Sequence, residues 1–205
     1  SQGGAATIMV AAHGQKYAPE FKLRGAIALA PGGYQYQGIA EYVKTYSQIS
    51  PSVASFFPIV LLGAEAAEPS LNPANLVTPE MNKILTFARS RCLSELQEDL
   101  KQAPKTVFKP DANLTPLITY LKKQSIENMI PTVPVMLVQG DKDQLVDPRG
   151  TYAYFQQICK MKKPIEFHEV KGGDHRDSLR QSPTLIGNFI SSVEQGKFPN
   201  NCNVK

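Results

Sequence analysis

Residues 133–147 read Val-Pro-Val-Met-Leu-Val-Gln-Gly-Asp-Lys-Asp-Gln-Leu-Val-Asp. The first seven form a continuous apolar run that Gly140 stops. A run of this length between breakers predicts a strand buried on both faces, the kind found in parallel sheets. After the glycine come Asp141, Asp143 and Asp147, then Pro148 and a helical stretch over about 149–161. Strand, acidic turn and helix in that order place carboxylates at the carboxyl end of a strand, where open α/β sheets hold their ligands.

The same grammar recurs on both sides. Downstream, residues 165–170 (IEFHEV) alternate apolar and polar, as a half-buried strand does. Gly172-Gly173 breaks it, Asp174-His175 follows, and a last helix is predicted over about 182–195, with Leu185, Ile186, Phe189, Ile190 and Val193 on its apolar side. Upstream, residues 23–30 (LRGAIALA) read as a buried strand ended by Pro31-Gly32-Gly33. Ahead of it, residues 3–13 are small and apolar all round, which suits a helix buried on most of its surface, with Gly14 as its expected stop. Strands alternating with helices argue for a parallel sheet. Only three strands are present, which looks like one side of a larger sheet.

Residues 36–131 read differently. Helices are predicted at 38–49 and 52–67. Thr78-Pro79-Glu80 has the signature of a helix start, and the stripe Met81, Ile84, Leu85, Ala88, Cys92, Leu93, Leu96, Leu100 continues it towards Pro104. Another helix is predicted from Thr115-Pro116 to Met129. No strand is convincing here. The expected organisation is a core segment at 1–35, an all-helical insertion at 36–131 and a second core segment at 132–205.

With 42% apolar and 20% charged residues, the 205-residue chain is globular rather than disordered. Its 22 basic and 18 acidic residues are scattered, so the net charge of +4 describes a solvated basic surface and no nucleic-acid footprint. No apolar run approaches the ~20 residues of a membrane span. Neither a metal-ligand spacing nor a glycine-rich phosphate loop is present, so no metal and no cofactor are expected.

Chemistry concentrates after the strands. Ser1 stands before the first helix, one of three aspartates lies after the middle strand, and His175 follows the last. The order Ser, Asp, His in strand-to-helix loops supplies a nucleophile, an acid and a base. His13 at a helix end and His168 within a strand are read as structural.

These residues resemble the C-terminal half of an α/β-hydrolase. Ser1-Gln2-Gly3 matches the Ser-x-Gly half of that family's Gly-x-Ser-x-Gly nucleophile elbow. The SQGG start, the large helical insertion before the acid loop and a cysteine pair bracketing the last strand and helix are similar to the secretory lipase branch. The implied fold is a partial α/β-hydrolase: the last three parallel strands, flanking helices and a helical cap. The implied activity is that of a lipase or carboxylesterase working through an acyl-enzyme. Ser1 would be the nucleophile, His175 the base and then acid, and the Gln2 N–H an oxyanion donor. The family's Gly-x-x-Asp pattern favours Asp143 as the orienting acid. Asp141 sits early in the turn, and Asp147 is placed to cap the next helix.

Further expectations rest on the same resemblance. A Cys159–Cys202 disulfide would tie down a tail poor in apolar residues, consistent with a secreted or periplasmic protein. The remaining strands, the second oxyanion donor and the partner of Cys92 are expected upstream of Ser1, in a missing N-terminal half. The partners are therefore that half and a small-molecule or lipid ester. Phe56, Phe57 and Leu61 are candidate acyl-pocket residues. Asn113-Leu114-Thr115 is a glycosylation sequon. Three other readings stay open: a prolyl-type peptidase of the same fold, an N-terminal-nucleophile amidohydrolase starting at Ser1, and an inactive hydrolase-like binding protein.

Overall fold

A computed structural model describes residues 1–34, 54–100, 104, 106–198 and 200–202. The chain divides into two compact units, one formed by Ser1–Tyr34 and Ser125–Lys205, the other by Gln35–Gln124.

The first unit is built on a parallel sheet of three strands in the order β1 (Ala26–Leu29), β2 (Val135–Gly140) and β3 (Ile165–Val170). Every residue of β2 is buried. Its side chains alternate between two cores. Val135 and Leu137 join Ile8 and Ala11 of α1 (Gln2–Tyr17) and Tyr154, Phe155 and Ile158 of the helix between β2 and β3, Pro148–Lys160. Met136 and Val138 join Phe189 and Val193 of the C-terminal helix Pro183–Glu194. Each of these buried strand side chains contributes roughly 1.5–3 kcal/mol by leaving water.

The first helix continues through Gly14 to Tyr17, so that glycine is not the expected stop and His13 lies inside the helix. Its glycine of consequence is Gly4. A Cβ there would lie 2.6 Å from Leu29 O and 2.8 Å from the Pro31 Cα. Only a residue without one lets α1 start this close to the end of β1. Gly3 has open space around the same position.

The tail is fastened twice. Cys159 and Cys202 form a disulfide with Cα atoms 5.6 Å apart. Next to it, the Asn201 amide accepts from Phe167 N (2.9 Å) and donates to Phe167 O (2.7 Å). A side chain thus satisfies backbone groups of β3 that a further strand would otherwise pair.

The second unit has its own core, centred on Phe57, Leu61, Met81, Ile84, Leu85, Leu117 and Leu121. Its helices among the described residues are α2 (Phe56–Ala67), α3 (Pro79–Ala88), α4 (Leu93–Asp99) and α5 (Thr115–Gln124). The helix expected at 38–49 lies outside the described residues. The stripe from Met81 to Leu100 is two helices and not one. Thr78 caps α3 by accepting from Met81 N, and a new N-terminus forms at Cys92, whose N–H donates to Glu95 Oε2 at 2.8 Å. Cys92 is consequently exposed rather than on a buried stripe. α5 also ends earlier than expected. After it, Ser125 and the 3-10 turn Ile126–Asn128 belong to the first unit, where Ile126 is buried against strand residues, so the division falls at 124 and not at 131. Asn113 is exposed, and its Oδ1 accepts from Thr115 N at 3.1 Å ahead of α5.

The sequence offers Phe57 and Leu61 as candidates for an acyl pocket. They are core side chains of this unit, 6% and 0% exposed, with Phe57 edge-on to Phe108 at 5.7 Å. Phe56 beside them is half-buried.

The remaining helices of the first unit are, in chain order, α6 (Pro148–Lys160), α7 (Asp177–Arg180) and α8 (Pro183–Glu194). The short α7 lies between His175 and the last helix, a stretch for which the sequence pattern predicts no element.

Candidate active site

Three carboxyl ends of strands meet at this site. Ser1 is the N-cap of α1, and its backbone is held by the end of β1. Its nitrogen donates to Leu29 O at 3.1 Å, and its carbonyl accepts from Gly32 N and Ala5 N, each at 3.1 Å. Residue 1 therefore opens a helix and not a strand, unlike the placement expected of an N-terminal nucleophile. The first-turn N–H groups, including that of Gln2, have no acceptor within the helix. They point partial positive charge at the space in front of Ser1.

The three aspartates after β2 do three different things. Asp141 Oδ1 accepts from Gly172 N at 2.7 Å, linking the acid loop to the loop after β3. Asp147 caps α6, accepting from Arg149 N at 2.9 Å, and the Arg149 guanidinium bonded to it holds its carboxyl below the usual range. Asp143 faces His175, with Oδ2 2.7 Å from Nδ1. Its other oxygen accepts from Leu145 N (2.8 Å) and Val146 N (2.9 Å). The Asp143 side chain is fully buried, and the His175 imidazole is 19% exposed.

The two loops are also locked to each other. Gly140 N donates to Ser178 Oγ at 3.1 Å, and Lys142 N to Gly173 O at 3.0 Å. A Cβ on Gly140 would overlap Gly173 O and stand 2.6 Å from Asp174 O, so glycine is required where the acid loop crosses the histidine loop. Asp174 braces that loop by accepting from Asp177 N (3.0 Å) and Arg176 N (2.7 Å), which hold its carboxyl below the usual range.

Ser1 and His175 line one cavity of about 700 Å³, with Ile27, Leu29, Ala30 and the arginines 176 and 180 among its other walls. Ala30 has φ of +42°, a left-handed conformation that a non-glycine residue adopts at a cost of about 1–2 kcal/mol. The strain sits where β1 turns towards Ser1.

The other histidines lie elsewhere. His13 Nε2 is 3.2 Å from Met129 Sδ, and His168 Nε2 is 3.3 Å from the buried Glu166. Among the described residues, no three His, Cys, Asp or Glu side chains cluster as a metal site, and no helix is long and apolar enough to cross a membrane.

One residue of the site escaped the sequence reading. Gln139, fully buried, donates from Nε2 to Asp143 Oδ2 at 2.7 Å. In the sequence it is one residue of an apolar run. The available signal was a lone amide in that run, immediately before the glycine of the acid turn.

Comparison with solved structures places this arrangement in a known fold. The chain matches Candida antarctica lipase A in its closed state with a TM-score of 0.78 at 19% identity, covering 98% of this chain and 49% of that one. A hydrolase described as putative, from Legionella pneumophila, gives 0.71 at 16% identity, covering 97% and 56%. The rice cell wall degrading esterase LipA from Xanthomonas oryzae gives 0.62 at 14% identity, covering 95% and 56%. The chain thus spans about half the length of these structures and shares the α/β-hydrolase fold over that half. A search of curated proteins returns no match. The secretory lipase family model matches residues 1–187, which takes in the Ser1 turn, the helical unit, the Asp143 loop and the His175 loop. This chain belongs to the secretory lipase family.

Proposed function

We propose that the protein is an extracellular lipase or esterase that cleaves carboxylic esters through an acyl-enzyme. The observation that carries this reading is the 2.7 Å His175–Asp143 pair, set in a cavity that Ser1 also lines. Asp143 holds the imidazole in the tautomer with its proton on Nδ1, which leaves the Nε2 lone pair as the base. Ser1 Oγ attacks the ester carbonyl while Nε2 takes its proton. The Gln2 N–H at the start of α1 stabilises the oxyanion. Collapse breaks the C–O bond, and Nε2 returns the proton to the departing alcohol. Water then repeats the sequence on the acyl-serine and releases the acid. The Cys159–Cys202 bond supports an oxidising compartment.

A fluorophosphonate probe should label Ser1, and Ser1→Ala and His175→Ala should each lower kcat for p-nitrophenyl esters by about 10³-fold or more. Labelling at another serine, or turnover of peptides in preference to esters, would overturn the reading.

A further inference from the structure

The Asp143 carboxylate is itself held by a buried polar chain. Gln139 is the fifth residue of β2 and points to the α6 side, where Thr151 on α6 reaches it. Thr151 Oγ1 lies 2.8 Å from Gln139 Oε1, Gln139 Nε2 lies 2.7 Å from Asp143 Oδ2, and that same oxygen lies 2.7 Å from His175 Nδ1. Gln139 and Thr151 are both 0% exposed. The direction of every bond follows from chemistry. A carboxylate only accepts, so the amide must present its NH2 to Asp143 and its oxygen to Thr151, and the threonine hydroxyl must donate. The second amide proton is directed at Gly140 O, 3.4 Å away.

We propose that Gln139 is a positioning residue for the acid–base pair, held in its working orientation by Thr151. Resting on the ester-hydrolase reading above, the assignment adds to it what keeps the carboxylate aimed. Leu145 N and Val146 N hold Oδ1, and Gln139 adds to Oδ2 a second contact beside the imidazole. Rotation of the carboxylate about the Cβ–Cγ bond therefore breaks a bond to β2 as well as bonds within the loop. The acceptor-only carboxylate excludes the flipped amide, whose oxygen would face a carboxylate oxygen in a dry site, and the Thr151 hydroxyl holds the amide in place by donating to its oxygen. An apolar residue at 139 would fill the same space and leave Oδ2 with one donor fewer.

The test compares Gln139→Met, which conserves volume, with Thr151→Val and Thr151→Ser. Activity towards p-nitrophenyl butyrate is normalised to fluorophosphonate-titrated sites. Gln139→Met is expected to lower kcat on the order of 10–100-fold with KM changed less than about twofold. The downfield proton resonance of His175 Nδ1–H should be shifted or lost. Thr151→Val should produce the same pattern more weakly, and Thr151→Ser, which keeps the hydroxyl, should stay within about threefold of the parent. Where Gln139→Met does not fold, the threonine pair alone decides. The proposal is overturned if kcat and the resonance survive in Gln139→Met, or if Val and Ser at 151 behave alike. Ser1→Ala and Asp143→Asn run in parallel separate the two levels. If these retain activity, the acyl-enzyme reading built on Ser1, His175 and Asp143 has itself failed. If they abolish activity while the Gln139 and Thr151 variants do not lower it, only the positioning role has failed.

Discussion

Replacing Asp143 by asparagine exchanges one carboxylate oxygen for an amide nitrogen and sets four hydrogen bonds against one another. The carboxylate accepts from Leu145 N and Val146 N on one oxygen, and from Gln139 Nε2 and His175 Nδ1 on the other. An amide has one accepting oxygen and one donating NH2. With the oxygen kept towards the two backbone N–H groups, the NH2 meets the Gln139 NH2, and His175 bonds to it only after moving its proton to Nε2. In that tautomer the imidazole cannot take the proton of Ser1. With the amide reversed, the NH2 faces two buried backbone donors instead of one side-chain donor. The first arrangement forfeits one bond and the second two, so the inactive tautomer is favoured. We expect kcat to fall by about 10³–10⁴-fold. Stability should fall by about 1.5–3 kcal/mol, the range for a lost hydrogen bond to a charged group. Steady-state kinetics on p-nitrophenyl butyrate, normalised by active-site titration and paired with thermal unfolding, measures both. A variant within tenfold of the parent kcat would refute the argument, since it would mean that the tautomer is not set by this oxygen.

Other substitutions probe the remaining contacts. Asp147→Asn should leave kcat within about twofold and cost at most about 0.5 kcal/mol, because asparagine still caps α6 and the lost ion pair with Arg149 is exposed. The Asp147 carboxyl is held below its ordinary value of 3.8, so its contribution is present above that pH and vanishes as pH falls through the lower folded value. The stability gap between parent and Asp147→Asn should therefore close as denaturation is followed below about pH 4, and a gap that widens on acidification would contradict the assignment. Gly4→Ala should destabilise by about 3 kcal/mol and displace Ser1, because its Cβ meets backbone atoms of Leu29 and Pro31 that have no rotamer to yield. Unfolding midpoints and fluorophosphonate labelling rates report the two effects. Cys202→Ser should cost about 4 kcal/mol by the loop-entropy relation for a separation of 43 residues, and reductant should lower the thermal midpoint of the parent but not of the variant.

The core strands were legible because their signals are local. β2 is an uninterrupted apolar run with a glycine behind it, and all of it is buried. The helical unit was legible in kind but not in its breaks. A stripe from Met81 to Leu100 satisfies helical periodicity throughout, yet Glu95 bonds back to Cys92 N and starts a second helix. Periodicity cannot see that break, because the apolar spacing on both sides of it still fits one face. The division between the units was misplaced for a related reason. Ile126 and Met129 continue the apolar spacing of α5, but they pack on the other unit's core, a choice made by tertiary contact and not by spacing.

The site divides along the same line. Ser1 stands before a glycine pair at the start of a predicted helix, and Asp143 and His175 follow glycine turns after predicted strands, so each carries its own local marker. Gln139 carries only the weak marker of a lone amide in an apolar run, since its meaning depends on Thr151 twelve residues later and on Asp143 four residues later. A polar side chain inside a buried strand is costly unless its partners are supplied. The question such a residue raises in a sequence is therefore which other element satisfies it. Here β2 sends one amide to the loop that carries the acid, and α6 sends the hydroxyl that orients that amide. The helix that covers the sheet is thereby tied to the geometry of the carboxylate. Repacking α6 against β2 should on this argument alter turnover before it alters the fold, because the 2.8 Å and 2.7 Å contacts of Gln139 tolerate less displacement than the apolar contacts around them.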